Sequence, residues 1–267
     1  MSVPGRWADL RTRLTSAAVM VAVGALLIWL GGLAFFGLVT ALTSVMIWEL
    51  AVVTAPAERR TPLVLAAVAA LALLVAARSD QALAASFLLV PALGLAMTPR
   101  RDRRLAAGYG AAILVAGFGL VSLRTGGEAA ILWLVAVVVV SDVAGYFAGR
   151  TIGGPKFWPA ISPKKTWAGT AAGWTGAAVV GLVFVLAGTA GWGLVVLSPL
   201  VALAGQMGDI AESWIKRRAG VKDASHLIPG HGGVLDRFDA MTGAVVAVMV
   251  LGLLVPLPLP VSGPVGG

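Results

Sequence analysis

The chain has 267 residues, 59% hydrophobic and only 12% charged, with no cysteine, a formal net charge of +8 and a mean hydropathy of +0.94. Soluble domains carry about 25% charged residues, so the composition is that of an integral membrane protein, and with no polar stretch longer than about thirty residues no soluble domain is hidden in it. The missing cysteines exclude disulfides and thiolate metal sites. The basic excess reads as positive-inside topology and excludes a nucleic-acid binder, for which the chain lacks polar surface.

In chain order, apolar blocks run over 14–31, 33–53, 61–77, 81–97, 105–123, 129–148, 166–187, 193–212 and 240–257. A membrane span needs about 17–25 mostly apolar residues, so the blocks predict an all-α polytopic protein with nine transmembrane helices, several near the short limit. Gly31-Gly32 divides the first uncharged run, which is too long for one span. The first block follows Arg6, Arg11 and Arg13 as a signal-peptide core would. It lacks a small-x-small cleavage site and runs straight into the second block, so it reads as a retained span.

Loop charges test that count. With the N-terminus inside, all of the 20 Lys and Arg except Arg78 and Arg124 fall on one side of the membrane. The reading is therefore N-terminus cytoplasmic, nine spans, C-terminus outside. Residues 1–128 read as scaffold, lipid contact or oligomer surface, and residues 129–267 as the catalytic transmembrane region of a single membrane-embedded unit. Glu49, the one acidic residue near a span in the first half, reads as an interfacial carboxylate near Arg59 or Arg60.

From Asp142 onward the character changes. Asp142, Asp209, Glu212, Asp223, Asp236 and Asp239 all fall in or beside the cytoplasmic ends of the sixth, eighth and ninth blocks. Charge deep in a membrane chain is costly and marks a functional site by default. Asp142, Tyr146 and Gly149 share one helical face, where the small residues let another helix approach. The loop after them carries Gly153-Gly154, Pro155 and Ser162-Pro163, so it reads as shaped rather than slack. Its Ser162-Pro163-Lys164-Lys165-Thr166 sets two ammonium groups and two hydroxyls before a helix N-terminus, a seat for phosphate. No Walker A pattern is present.

Asp209, Glu212, Ser213 and Lys216 recur at i, i+3, i+4 and i+7, one polar stripe on an otherwise apolar helix. Asp236 and Asp239 are three apart where the last helix begins, a spacing that lets both carboxylates face the same point. From the stripe to this pair runs the densest chemistry of the chain, Lys216, Arg217, Lys222, Asp223, His226, His231, Gly232, Gly233 and Arg237 around a Pro-Gly-x-Gly-Gly turn. Carboxylates without cysteine form a hard-oxygen ligand set, which favours Mg²⁺ with phosphate over zinc or copper. His231 reads as facing a ligand or stabilising the turn.

At these residues the chain resembles the phosphatidate cytidylyltransferase (CDP-diacylglycerol synthase) family. The run Ser213-x-Ile215-Lys216-Arg217-x4-Lys222-Asp223-x-Ser225-x2-Ile228-Pro229-x-His231-Gly232-Gly233-Val234-x-Asp236-Arg237-Phe238-Asp239 is similar to the family signature at every specified position. Three further stretches resemble the family: Asp142-x-x-Gly145-Tyr146-x-x-Gly149-Arg150, Ile161-Ser162-Pro163-Lys164-Lys165-Thr166 and Gly208-Asp209-x-x-Glu212-Ser213. The likeness covers residues 139–240, and the amino-terminal half matches only in being hydrophobic and multi-span. One departure is Ala168, where the family usually has Glu; the contact that Glu makes is either lost here or not essential to the chemistry.

The resemblance implies a reaction in which CTP and phosphatidate give CDP-diacylglycerol and pyrophosphate. It implies a two-cation site, Mg²⁺ with a second cation such as K⁺, on Asp209, Asp236 and Asp239. Lys216, Arg217, Lys222 and Arg237 would act with Asp209 and Asp236 in catalysis, neutralising phosphate and the leaving pyrophosphate. Asp142, Ser162, Lys164, Lys165, Ser213, Asp223, His231, Gly232 and Gly233 would bind substrate. A homodimer in the bilayer of the cell inner (cytoplasmic) membrane is also implied, with CTP arriving from the cytoplasm and phosphatidate from the inner leaflet. The nearest rival is a CTP-dependent polyprenol kinase, against which the signature argues. A transporter would set its acidic residues near the midplane and show repeat symmetry, and neither is evident.

Overall fold

The computed structural model describes residues 6–159 and 161–262, with the backbone alone at 6–13, 81, 82 and 163. The side chains of Arg6, Arg11 and Arg13, part of the charge pattern above, lie outside the described residues. Among the described residues nine helices follow one another: α1 Arg6–Leu30, α2 Gly32–Thr54, α3 Thr61–Ala76, α4 Gln81–Met97, α5 Arg103–Thr125, α6 Glu128–Thr151, α7 Trp167–Leu186, α8 Gly193–Ala219 and α9 Leu235–Leu254. Between α6 and α7 lies an antiparallel hairpin, β1 Lys156–Trp158 and β2 Ser162–Thr166, in the register Lys156 opposite Thr166 and Trp158 opposite Ser162.

The protein is all-helical and multi-pass. Among the described residues six helices, α2 and α5 through α9, are long and apolar enough to cross a membrane, while α1, α3 and α4 carry shorter apolar stretches, Leu14–Leu30, Thr61–Ala76 and Leu83–Met97. The divide at Gly31-Gly32 is where the sequence puts it. Both residues hold positive φ, 60° and 49°, a left-handed backbone that costs a residue with a Cβ about 1–2 kcal/mol. The helix ends differ from the apolar blocks where charge is helical. α8 continues to Ala219 and α9 begins at Leu235, because polar side chains that face protein extend a helix beyond its apolar run.

By contacts the chain forms two compact units, one of residues up to Ala111 together with Arg218–Phe238, the other of Ala112–Arg217 and the residues from Asp239. In the first, Ile47 and Leu50 of α2, Leu73 of α3 and Leu95 of α4 are wholly buried. Gly110 of α5 sits where a Cβ would collide with Leu95 and lie 3.7 Å from both Ile47 and Leu50. Arg100 closes the C-terminal end of α2, donating to Thr54 Oγ1 at 2.9 Å and Ala51 O at 3.3 Å. The neighbouring Arg101 N–H donates to Thr54 O at 3.0 Å, satisfying one of the carbonyls that the helix end leaves open.

In the second unit, small residues bring helix backbones together, the usual route to tight association where lipid is as apolar as the helix surface. A Cβ on Gly169 of α7 would lie 2.5 Å from Gly145 O of α6, and one on Gly173 2.9 Å from Ser141 O. A Cβ on Gly149 would sit 3.0 Å from Thr166 Oγ1. Thr166 is extended and its hydroxyl accepts from Gly169 N–H at 3.2 Å, an N-cap that starts α7 directly from β2. Trp133, fully buried in α6, donates through Nε1 to Ser198 Oγ at 2.9 Å beside Pro199 of α8.

Candidate functional site

Within the second unit, α8 packs on α9 through glycine. A Cβ on Gly205 would lie 3.1 Å from Ala240 O, and one on Gly208 2.9 Å from Gly243 N. The backbones therefore touch one turn away from the polar stripe of α8. That contact brings Asp239, at the start of the second turn of α9, beside Asp209 and Glu212. One carboxylate oxygen of each lies within 4.8 Å of the other two.

Two lysines answer these carboxylates. Lys165 Nζ, from β2, lies 2.5 Å from Asp209 Oδ2 and 3.4 Å from Gln206 O. Lys216 Nζ lies 2.7 Å from Glu212 Oε2, one helical turn along α8. Ser213 Oγ donates to Asp209 Oδ1 at 3.5 Å, and Trp174 Nε1 holds Gln206 Oε1 at 3.2 Å. Asp142 is exposed on α6 and within electrostatic reach of Lys165 and Asp209. Lys164 is exposed, and Ser162 half-exposed at the start of β2.

Glu212 has 1% of its side chain exposed, Lys216 10%, Lys165 24% and Asp209 33%. An ion pair this close is strong only because water is partly excluded, and removing one partner leaves a desolvated charge. Four carboxyl groups and two ammonium groups are thus gathered at one place. All the candidate ligand atoms are carboxylate oxygens, so the cluster suits a hard divalent cation such as Mg²⁺.

In the first unit, the part of the signature between α8 and α9 is a folded loop. His231 N–H donates to Ile228 O at 2.9 Å across Pro229 and Gly230, whose φ is 76°, the pattern of a type II turn. Ile228 and Gly232 bridge back to each other beyond it. Ser16 of α1 meets the turn, donating to Pro229 O at 3.0 Å and lying 2.8 Å from His231 Nδ1. Arg237 Nε donates to His231 O at 3.0 Å. Lys222 and Asp223 are exposed, as is Arg217 of the second unit.

Asp236 is buried, and its carboxylate accepts from Ala224 N–H at 2.9 Å and Gly233 N–H at 2.7 Å. Gly232 has φ 87°, and a Cβ there would press to 2.8 Å on Asp236 Oδ2. The loop therefore admits glycine alone at that position. Arg218 grips Asp102 with two bonds of 2.8 Å, and that pairing holds the Asp102 carboxyl below the usual carboxylate range.

Two acidic residues stand apart from the sequence reading. Glu212 belongs to the α8 stripe but not to the expected ligand set, which names Asp209, Asp236 and Asp239; among the described residues the carboxylates close enough to share one ion are Asp209, Glu212 and Asp239. Glu49 is not an interfacial carboxylate near Arg59 or Arg60. It is fully buried in α2 and accepts from Ser225 Oγ, Val234 N–H and Leu235 N–H of the signature loop. Those partners lie 176 to 186 residues away, and no local pattern announces them.

The sequence model of the Cytidylyltransferase family matches residues 11–255. A protein of Brucella suis named phosphatidate cytidylyltransferase is 35% identical over 257 residues, covering 92% of this chain and 94% of that one. Proteins of the same name from Staphylococcus saprophyticus and Helicobacter pylori are 41% and 43% identical over 134 and 127 residues, about half of each chain. The chain belongs to the cytidylyltransferase family.

Proposed function

Taking that membership as the starting point, we propose that this enzyme is a phosphatidate cytidylyltransferase, a CTP-dependent nucleotidyltransferase of phospholipid biosynthesis. It converts CTP and phosphatidate to CDP-diacylglycerol and pyrophosphate. The observation that carries the reading is the cluster of Asp209, Glu212 and Asp239 interleaved with Lys165 and Lys216, on a chain similar over nearly its whole length to proteins of that name.

Phosphatidate's phosphate is already largely dianionic near neutral pH, so its oxygen attacks the α-phosphorus of CTP without a strong general base. The new P–O bond forms as the bond to the β-phosphate oxygen breaks, and pyrophosphate leaves with that electron pair. Catalysis then consists of positioning and charge neutralisation. Lys165 and Lys216 exchange carboxylate partners for phosphate oxygens when substrates bind. Arg217, Lys222 and Arg237 neutralise the triphosphate and the leaving pyrophosphate. Asp142, Ser162, Lys164 and Ser213 hold the nucleotide side, and Asp223, His231, Gly232 and Gly233 shape the substrate loop.

Asp209, Glu212 and Asp239, with Asp236, are the residues that would hold Mg²⁺ and a second cation such as K⁺. Bound there, the cations supply charge neutralisation at the phosphate oxygens. The backbone N–H groups that orient Asp236 are compatible with a ligand role, since ligating carboxylates are usually hydrogen-bonded in turn.

The positive-inside distribution supports nine spans with the N-terminus in the cytoplasm and the C-terminus outside. In that topology the enzyme sits in the cell inner membrane, CTP reaches it from the cytoplasm and phosphatidate from the inner leaflet. We also expect it to act as a homodimer in the bilayer. The test supplies CTP labelled at the α-phosphorus, phosphatidate and Mg²⁺ to purified protein in detergent with added lipid. Label entering the lipid fraction with release of pyrophosphate, both abolished by EDTA, is the expected result. Transfer of γ-label to a polyprenol, with CDP as product, would instead mark a kinase.

A further inference from the structure

Glu49 is a wholly buried carboxylate that the reaction as written does not use. Its partners all belong to one short segment. Oε1 accepts from Ser225 Oγ at 2.5 Å and Val234 N–H at 3.0 Å, and Oε2 accepts from Leu235 N–H at 2.6 Å. Leu235 is the first residue of α9, and the opening N–H groups of a helix have no acceptor within it. A carboxylate at that end also meets the positive pole of the helix dipole. Glu49 thus caps α9 from a helix 186 residues upstream.

Asp236 completes the arrangement from inside the segment. It takes Ala224 N–H and Gly233 N–H, while Glu49 takes the residue after each, Ser225 and Val234, and then Leu235. The two carboxylates therefore clamp both ends of the 224–235 loop in one register, with the turn through His231 and Gly232 between them. The fit is close: a Cβ on Gly233 would lie 2.5 Å from Glu49 Oε1.

We propose that Glu49 is a positioning residue for nucleotidyl transfer, fixing the signature loop and the first turn of α9 without touching substrate. This rests on the function proposed above. Three donors point at two carboxylate oxygens, so the geometry needs an acceptor-only group of this length. Glu49→Gln keeps the shape but turns an NH₂ group toward at least one N–H donor. Glu49→Asp keeps the acceptors but withdraws them by one methylene.

The test measures steady-state lipid labelling together with hydrogen exchange at the amides of Val234 and Leu235 in purified, monodisperse protein. Glu49→Gln should speed exchange at both amides and lower kcat at least about tenfold, with KM for CTP within about threefold, since slight misplacement of a reacting group is expensive. Glu49→Asp should recover part of kcat and part of the protection. A wild-type kcat in Glu49→Gln with both amides still protected overturns the proposal, as does an equal loss in Glu49→Asp with the loss entirely in KM. If Glu49→Gln does not yield folded protein, Glu49→Asp and Ser225→Ala decide: both must show faster exchange and lower kcat at unchanged KM, and wild-type behaviour in both overturns it. A wild-type protein that labels no lipid defeats the functional reading instead, and the exchange measurement still judges the clamp.

Discussion

The two units use carboxylates in opposite ways. In one, Asp209 and Glu212 are answered by lysine ammonium groups on flexible four-carbon stems. In the other, Glu49 and Asp236 are answered by backbone N–H groups and one serine hydroxyl. A lysine can swing to an arriving phosphate, and its carboxylate partner then becomes available to a cation. A backbone N–H in a turn cannot move without refolding the loop. The first arrangement is suited to exchange of partners during a reaction, the second to holding a shape, and the contrast separates residues expected to act on charge from residues expected to act on geometry.

The largest effect should come from breaking the exchangeable cluster. Asp209→Asn or Asp239→Asn should cut lipid labelling roughly 1,000-fold or more, about 4 kcal/mol of transition-state stabilisation, while gel filtration stays near wild type and only Asp209→Asn, which takes the carboxylate from Lys165, lowers the melting temperature. Asp236→Asn sets the proposed cation role of that residue against its role in the loop. It should insert and fold, lose nearly all activity, and lose about 1.5–3 kcal/mol of stability, because it turns an NH₂ toward buried N–H donors. Near wild-type turnover in well-folded Asp236→Asn would remove that residue from the cation site and leave it to the loop.

Glu212→Gln sharpens the contrast further. It should lower activity about 10- to 100-fold, and because it leaves the Lys216 ammonium buried beside a neutral amide, it should also lower the melting temperature. Glu212→Gln combined with Lys216→Met should regain stability but not activity. If stability and activity return together, Glu212 is a structural partner of Lys216 and nothing more. Further down the scale, Ser198→Ala strips the buried Trp133 Nε1 of its acceptor, which should cost about 1 kcal/mol with turnover within about twofold. Arg218→Ala should be the mildest change, since the pair with Asp102 is exposed and solvent-screened; turnover and melting should match wild type within error.

These residues were legible in the sequence to different degrees, for physical reasons. Helix periodicity on α8 is local, so Asp209, Glu212, Ser213 and Lys216 could be read as one stripe, and the positive φ at Gly31 and Gly32 makes the divide between α1 and α2 a property of two adjacent residues. The signature loop was readable from its glycines, because Gly232 needs both positive φ and empty space. Partnerships across the chain were not. Lys165 meets Asp209 only once β2 has paired and α7 has packed on α6 through Gly145 and Gly169. Glu49, surrounded in sequence by apolar residues, looked like a carboxylate near a membrane edge, and nothing within its own helix points to a loop 176 residues on. The charged ends of α8 and α9 escaped the hydropathy blocks because capping and ion pairing, not apolarity, make them helical.

The measurement that bears most directly on the central claim is divalent-cation binding without turnover. Mn²⁺ would be titrated into detergent-purified protein and free ion followed by electron paramagnetic resonance, in wild type and in the Asp209→Asn/Asp239→Asn double variant. The account predicts saturable binding in the wild type, competed by Mg²⁺, and its loss in the folded double variant. Equal, saturable binding in both proteins would contradict the account, because the carboxylates that α8 and α9 bring together would then not be what holds the cation.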